Sequence, residues 1–302
     1  MIWFKNVMIY KLTSELSLEN NALEALLQET KFTPCSEHDM SKFGWSCPLA
    51  GSDLLHFSQG KQFLLISHKE DKLLPANIIK AETEKRIAEL EEKEARKLKK
   101  TEKQAIKDQA VSVLLPRAFS KHQFTAIWLD LESQLVYVDA ASSKRAEDTL
   151  ALLRKTLGSL PVVPISFVLP PAEVMTSWVA KGHTPSWLDL LEEAELKSFD
   201  TDSVIRCKRQ DLESEEIVQH LQAGKFITKL AIDWEAHFSC ILNEDATLSR
   251  LKFADEVREK NDDILKEDIA QRFDADFLLM TEELSAFTSK IIEEFGGIKA
   301  RI

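Results

Sequence analysis

The chain has 302 residues, 44% of them hydrophobic, which is enough for one large core or two to three smaller ones. No run approaches the ~20 consecutive apolar residues of a membrane span. The aromatic start from Met1 to Leu12 also lacks the cleavage site of a signal peptide, so a cytoplasmic protein is expected. The net charge of −11 argues at first against nucleic acid, but binding follows local potential and not the sum.

In chain order, Trp3 to Leu12 reads as a strand, Leu18 to Leu27 as a short helix, and Gln62 to His68 as an apolar strand. The Pro-, Gly- and Ser-rich stretch Phe32 to Gly60 reads mostly as loop. From Ala76 to about Leu115 there is no Gly or Pro, and Ala, Glu, Lys, Arg and Leu dominate. Such density of helix formers with few apolar positions predicts a projecting helix or helical hairpin. Pro116 ends it, and Phe124 to Val138 alternates around Glu132-Ser133-Gln134 as a β-hairpin. Ser142 to Gly158 is an amphipathic helix with Leu150, Leu153 and Leu157 on one side, and Val162 to Val168 a strand.

Pro170-Pro171 suggests a boundary. Beyond it come a helix near Trp187 to Ser198, a strand at Val204 to Lys208, and a helix from Ser214 to Gln222. Paired strands follow at Phe226 to Asp233 and His237 to Leu242, then a helical, acidic region to Ile302. The expected fold is α+β, with antiparallel sheets, amphipathic helices and a projecting helical arm. Three parts are expected: residues 1–75 together with 117–169, a helical tip at 76–116, and a second α+β domain at 170–302. Gly and Pro are scarce and no tether is evident, so these parts should pack together.

Three basic tracts stand out. On an uninterrupted helix Arg96, Lys100, Lys103 and Lys107 would fall on one stripe, flanked by Lys93, Lys97 and Lys99. Glu thins beyond Glu94, so the stripe is expected to be largely free of local partners. Neutralising ~6 phosphates makes affinity fall 10³-fold or more between ~50 and ~200 mM salt. In Leu115 to His122, Phe119 stands between Arg117 and Lys121 and could stack or wedge among phosphates. In Arg206 to Gln210, Lys208 and Arg209 could face DNA or pair with the acids that follow.

Catalytic patterns are missing: no phosphate-binding Gly-rich loop, no HExxH, no GxSxG. Asp274 and Asp276 point differently on a helix and suit capping or ion pairing; Asp130, Asp139 and Lys144 only faintly suggest a nuclease set. Cys35, Cys47, Cys207 and Cys240 are widely spaced with no CxxC, so they read as reduced thiols rather than zinc ligands. Neither cofactor nor metal is expected.

Several motifs, in order along nearly the whole chain, resemble the RdgC family: WFKN at Trp3, FTPC at Phe32, ARKLKKTEK at Ala95, LLPRAFS at Leu114, KRAEDTLALLRKTLGSLPVVP at Lys144, EAELKS at Glu193, KRQDLESEEI at Lys208 and QRFDADF at Gln271. The resemblance implies a ring-shaped homodimer, closed at its helical tips and its base, with a positively charged hole. It implies a nucleoid-associated protein that binds duplex and single-stranded DNA with little sequence preference and restrains RecA-promoted strand exchange, without catalysis. It also implies that Phe119 is an aromatic finger at a gate or at DNA, with Arg209 and Gln210 as polar gate residues. The family pattern has two lysines before that Gln where this chain has Lys208-Arg209, and Arg forks differently. Two other readings stand beside it: a metal-dependent nuclease of recombination intermediates, and a protein that grips RecA through its acidic C-terminal region.

Overall fold

The computed structural model describes residues 3–201, 203–265 and 267–300; Met1 and Ile302, where the sequence reading began and ended, lie outside the described residues. The first part of the chain runs β1 (Val7–Leu12), α1 (Asn20–Glu29), β2 (Ser41–Ser46), β3 (His56–Gln59), β4 (Gln62–Leu73), α2 (Ala76–Glu94), α3 (Lys100–Leu114), β5 (Phe119–Asp130), β6 (Leu135–Asp139), α4 (Ser143–Leu157) and β7 (Val162–Pro164). The second runs α5 (Pro171–Lys181), β8 (Asp189–Ser198), β9 (Val204–Lys208), α6 (Glu215–Gln222), β10 (Lys225–Trp234), β11 (Phe238–Asn243), β12 (Leu248–Phe253), α7 (Asp255–Arg258) and α8 (Ile269–Glu294). Among the described residues the fold is α+β, with eight α-helices and one extensive antiparallel sheet.

The sheet has twelve strands, ordered β2-β4-β5-β6-β1-β12-β11-β10-β8-β9, with β3 also on β4 and β7 also on β1. It passes without a break from the first half of the chain to the second, because β1 pairs with β6 on one side and reaches β12 at Val7 and Leu248 on the other. One core includes Val7, Trp128 and Tyr137 from the first half and Leu230, Leu242 and Phe287 from the second. A second core lies on the opposite face of the first half only, where Leu23 and Leu27 of α1 and Leu150 and Leu153 of α4 cover the sheet.

Helix α8 spans both halves, about 39 Å at 1.5 Å per residue. Its Phe273 and Phe277 meet Phe57 edge-on at 5.0 and 5.2 Å, and its Phe287 packs on Phe238 at 4.8 Å. The acidic C-terminal region is therefore anchored through a buried apolar stripe. Helices α5 and α6 join it on the same face through Met175, Trp178 and Ile217.

Three sequence expectations are corrected. The expected loop from Phe32 to Gly60 holds β2 and β3. The expected helix near Trp187 to Ser198 is strand β8, paired on both edges, with β9 and β10. Helix α5 was not expected, and β12 lies within the region expected to be helical. Of the two forms expected for the stretch from Ala76 to Leu114, the hairpin is the one present: two helices that break at Ala95, whose φ of 49° closes α2 in the left-handed region.

Candidate nucleic-acid interface

The second half of the sheet keeps one face bare. Along β8, Ala194 and Leu196 are buried in the core, so Glu193 and Glu195 point to the other side. Alternation does the same for Arg206 and Lys208 on β9, whose Cys207 is buried. Two bulges adjust the phase. In β10 an extra residue at Thr228 sets Lys229, not Thr228, opposite Glu195. In β12 the register shifts between Ser239 and Ile241 of β11, and Arg250 sits at φ 54°, turning its side chain onto this face.

The result is a basic surface assembled from strands distant in sequence. Arg206, Lys208, Lys229 and Arg250 line one shallow depression, with Glu193 and Glu195 at its centre. Arg250 also lines the next depression, with Lys5, Lys252 and Arg258 beside Trp3, and no carboxylate is in that lining. Trp3 rests on Phe253 at 4.7 Å. Four cations of this surface, Lys5, Arg250, Lys252 and Arg258, were not singled out in the sequence, nor was Lys229. Arg250 and Lys252 share β12, and the other three are isolated in their own segments. Only period-2 alternation, corrected for two bulges, would have gathered them.

The helical hairpin carries the tract that was singled out, in a different geometry. With the break at Ala95, Arg96, Lys97 and Lys99 lie before α3, so the single stripe does not form; Lys100, Lys103 and Lys107 keep one side of α3. The expectation of few partners is also corrected. Arg96 pairs with Glu94 at 2.7 Å and Glu102 at 2.6 Å. Glu91 takes Lys97 at 2.8 Å, Lys103 at 3.3 Å and the backbone N–H of Leu98 at 3.0 Å. These bonds hold the carboxyls of Glu91 and Glu102 down to about 2, through Lys97 and Arg96 respectively first of all. The acids lie two to twelve residues from their partners, mostly across the turn, which helical spacing cannot show. Lys93, Lys99, Lys100 and Lys107 remain exposed, with no ion pair to a described residue.

At the hairpin's root, Arg117 and Lys121 are exposed, and Phe119 opens β5 opposite Leu73 with 83% of its surface in solvent. At the far edge, Lys208 ends β9, Arg209 follows at φ 54°, and Gln210 donates to Ser214 Oγ at 3.2 Å. From β5 to β9 is seven strand steps, roughly 34 Å at ~4.8 Å each, so one chain does not bring Phe119 to Arg209 and Gln210.

The carboxylates weighed for a nuclease are spent on backbone. Asp130 accepts the N–H groups of Glu132 and Ser133, and Asp139 those of Lys5 and Asn6. Asp276 accepts from Asn261 at 3.1 Å inside the core. Among the described residues no three His, Cys, Asp or Glu side chains are placed to hold a metal ion, and all four cysteines are free. No helix among them is long and apolar enough to cross a membrane.

Residues 2–298 match a family model whose description reads "Putative exonuclease, RdgC". The chain belongs to the RdgC family. Relatives called "Recombination-associated protein RdgC" are 85% identical in Actinobacillus pleuropneumoniae serotype 3 (strain JL03), 64% in Mannheimia succiniciproducens and 59% in Haemophilus influenzae (strain PittGG), each over 302 residues and 100% of both chains. Two of the RdgC motifs now have places in the fold. LLPRAFS forms the root of the hairpin, and EAELKS is the strand that lays Glu193 and Glu195 in the middle of the basic face.

Proposed function

We propose that this chain is a non-sequence-specific DNA-binding protein acting in recombination and fork repair. It closes as a homodimeric ring around duplex DNA, also holds single strands, and restrains RecA-promoted exchange by occupying the DNA, at the nucleoid. The observation that carries this reading is the bare basic face of the second half-sheet. Its cations sit on three strands, β9, β10 and β12, and on two segments beside them, at Lys5 before β1 and Arg258 in α7, spread over an area and not along one groove-reading helix or ribbon. Such an array suits phosphates, which position a protein without reporting sequence. The excess acid elsewhere on the chain discourages binding outside this face.

In this reading the chain has a central part (1–75 with 117–169), a projecting tip (76–116) and a base (170–302). The ring closes tip to tip and base to base. Lys93, Arg96, Lys97, Lys99, Lys100, Lys103 and Lys107 extend the positive lining from the tip, and Arg117, Phe119 and Lys121 from its root. Phe119 serves as an aromatic finger at a gate or at DNA, and Arg209 and Gln210 as polar gate residues.

The test is affinity for a nicked-circle duplex across a salt series. One variant carries Arg206→Glu, Lys229→Glu and Arg250→Glu; the other carries Lys93→Glu, Lys100→Glu and Lys107→Glu. The first should lose at least about 100-fold in affinity and flatten the slope by about one or more, at ~0.9 per phosphate. Unchanged affinity and slope in both would overturn the reading. Release of nucleotides in the presence of a divalent cation would establish the exonuclease reading that the family description carries. RecA captured without DNA, and insensitive to either variant, would establish the protein-interaction reading.

A further inference from the structure

The basic face contains two acids that a phosphate-binding surface does not need. Glu195 is only 16% exposed, while Arg206 and Lys229, its partners, are 72% and 47% exposed. Its Oε2 accepts from Arg206 Nε at 2.8 Å, its Oε1 lies 3.2 Å from Lys229 Nζ, and Thr228 Oγ1 donates to Oε1 at 3.2 Å. Desolvation pushes the Glu195 carboxyl upward, but the hydrogen bonds from Arg206 and Lys229 outweigh it and keep it below the ordinary range. Glu193, two residues earlier, bonds Arg250 at 2.5 Å and sits opposite Lys208 in the ladder. Carboxylates thus lie on the floor and cations stand above them, free to turn outward.

We infer that Glu193 and Glu195 are resident stand-ins for phosphate: they occupy Arg206, Lys229 and Arg250 while the face is empty, and DNA phosphates displace them. This rests on the reading of the face as the DNA site. An ion pair with a well-exposed partner is weak and screened by salt, so a polyanion can take the cation over. A displaced carboxylate stays beside the incoming phosphate and offsets part of the charge its cation would neutralise, so fewer counterions leave the DNA and the acids lower both the affinity and its salt dependence. A face held in this way grips DNA loosely enough to let go. The neighbouring depression of Lys5, Lys252 and Arg258 has no carboxylate in its lining and supplies the first attraction.

The experiment compares the full-length protein with Glu193→Gln/Glu195→Gln, by affinity for a mixed-sequence duplex between about 50 and 200 mM salt. The double variant should bind roughly 10-fold more tightly at the low end, with a slope steeper by about two, at ~0.9 per phosphate. Glu193→Gln alone, which leaves the buried floor intact, should give about half of each change and guards against a folding failure in the double variant. Equal or weaker binding by a folded acid variant overturns the inference, because the acids would then be struts that position the cations. An Arg206→Gln/Lys229→Gln/Arg250→Gln variant separates the two levels. If it binds as wild type does, the DNA-face reading itself falls; if it weakens while the acid variants do not tighten, only the stand-in role falls.

Discussion

The two halves of the sheet differ in what covers them. In the first, α1 and α4 lie on one face and α8 on the other. Its strands are accordingly buried on both sides, as in Phe63–His68 of β4 and Thr125–Asp130 of β5. In the second, α5, α6 and α8 crowd a single face, and the strands alternate between core and charge. A strand covered twice has no freedom to carry cations, whereas one covered once can put a charge at every second position without disturbing the core. The first half is built for rigidity, and the second offers a working surface on the same frame.

The sharpest way to break this contrast is in the cores. Trp128→Ala, which removes a fully buried ring stacked on Tyr137 at 4.0 Å, should cost about 3–5 kcal/mol in denaturant unfolding. Ile241→Ala on the bare face should cost under ~1 kcal/mol. Comparable losses at the two sites would mean that the second face is covered in solution. Next in size, Lys5→Ala/Lys252→Ala/Arg258→Ala should weaken duplex binding about 10-fold at low salt and leave the melting temperature unchanged. A fall in melting temperature of the same variant would make these cations structural.

Acid should probe the first half at the hairpin's root. His68 Nε2 lies 2.9 Å from His122 Nδ1, with Phe32 and Phe124 stacked on His68 at 3.7 and 4.1 Å. Burial, then the charge of His122, hold the His68 pKa below its ordinary 6.5. Because the unfolded chain binds that proton more readily, stability contributed by neutral His68 is present above pH 6.5 and is lost as pH falls below it. Exchange protection along β4 and β5 should fall in that window, and His68→Gln should remove the dependence. The smallest effect belongs to the hairpin turn. Ala95→Gly relieves a left-handed alanine and should stabilise the protein by about 0.5–1 kcal/mol, read by thermal unfolding.

How much of this was legible in the sequence depended on whether local pattern and tertiary pairing agreed. The hairpin β5–β6, helix α4 and the pair β10–β11 announce themselves by alternation or by apolar spacing, and the structure places them where expected. Strand β8 does not, because Leu, Glu, Ala and Lys from Leu188 to Lys197 are good helix formers, overridden by pairing with β9 and β10. That misreading also hid the central acids, since Glu193 and Glu195 share a face on a strand but diverge on a helix. Helix α5 had its signals, Pro171 at its first position and Gly182 after its last, and they were passed over. The break at Ala95 carried no Gly or Pro to mark it. The basic face was the least legible feature of all, because neighbours in space come from both ends of the chain.

The place of β1 has a consequence for the order of assembly. Strand β1 is made before the other strands of this sheet yet sits mid-sheet, between β6 and β12, and the backbone N–H of Phe4 just before it meets Met280 Sδ at 3.4 Å. The segment from Phe4 to Leu12 cannot complete its contacts until residues some 240 to 276 positions downstream have been made. Once β7 covers Tyr10–Leu12, the edge around Lys5 and Val7 still stands unpaired during translation, the kind of surface that recruits stray strands. Folding of this sheet is thus sealed late, at a seam joining segments made far apart in time.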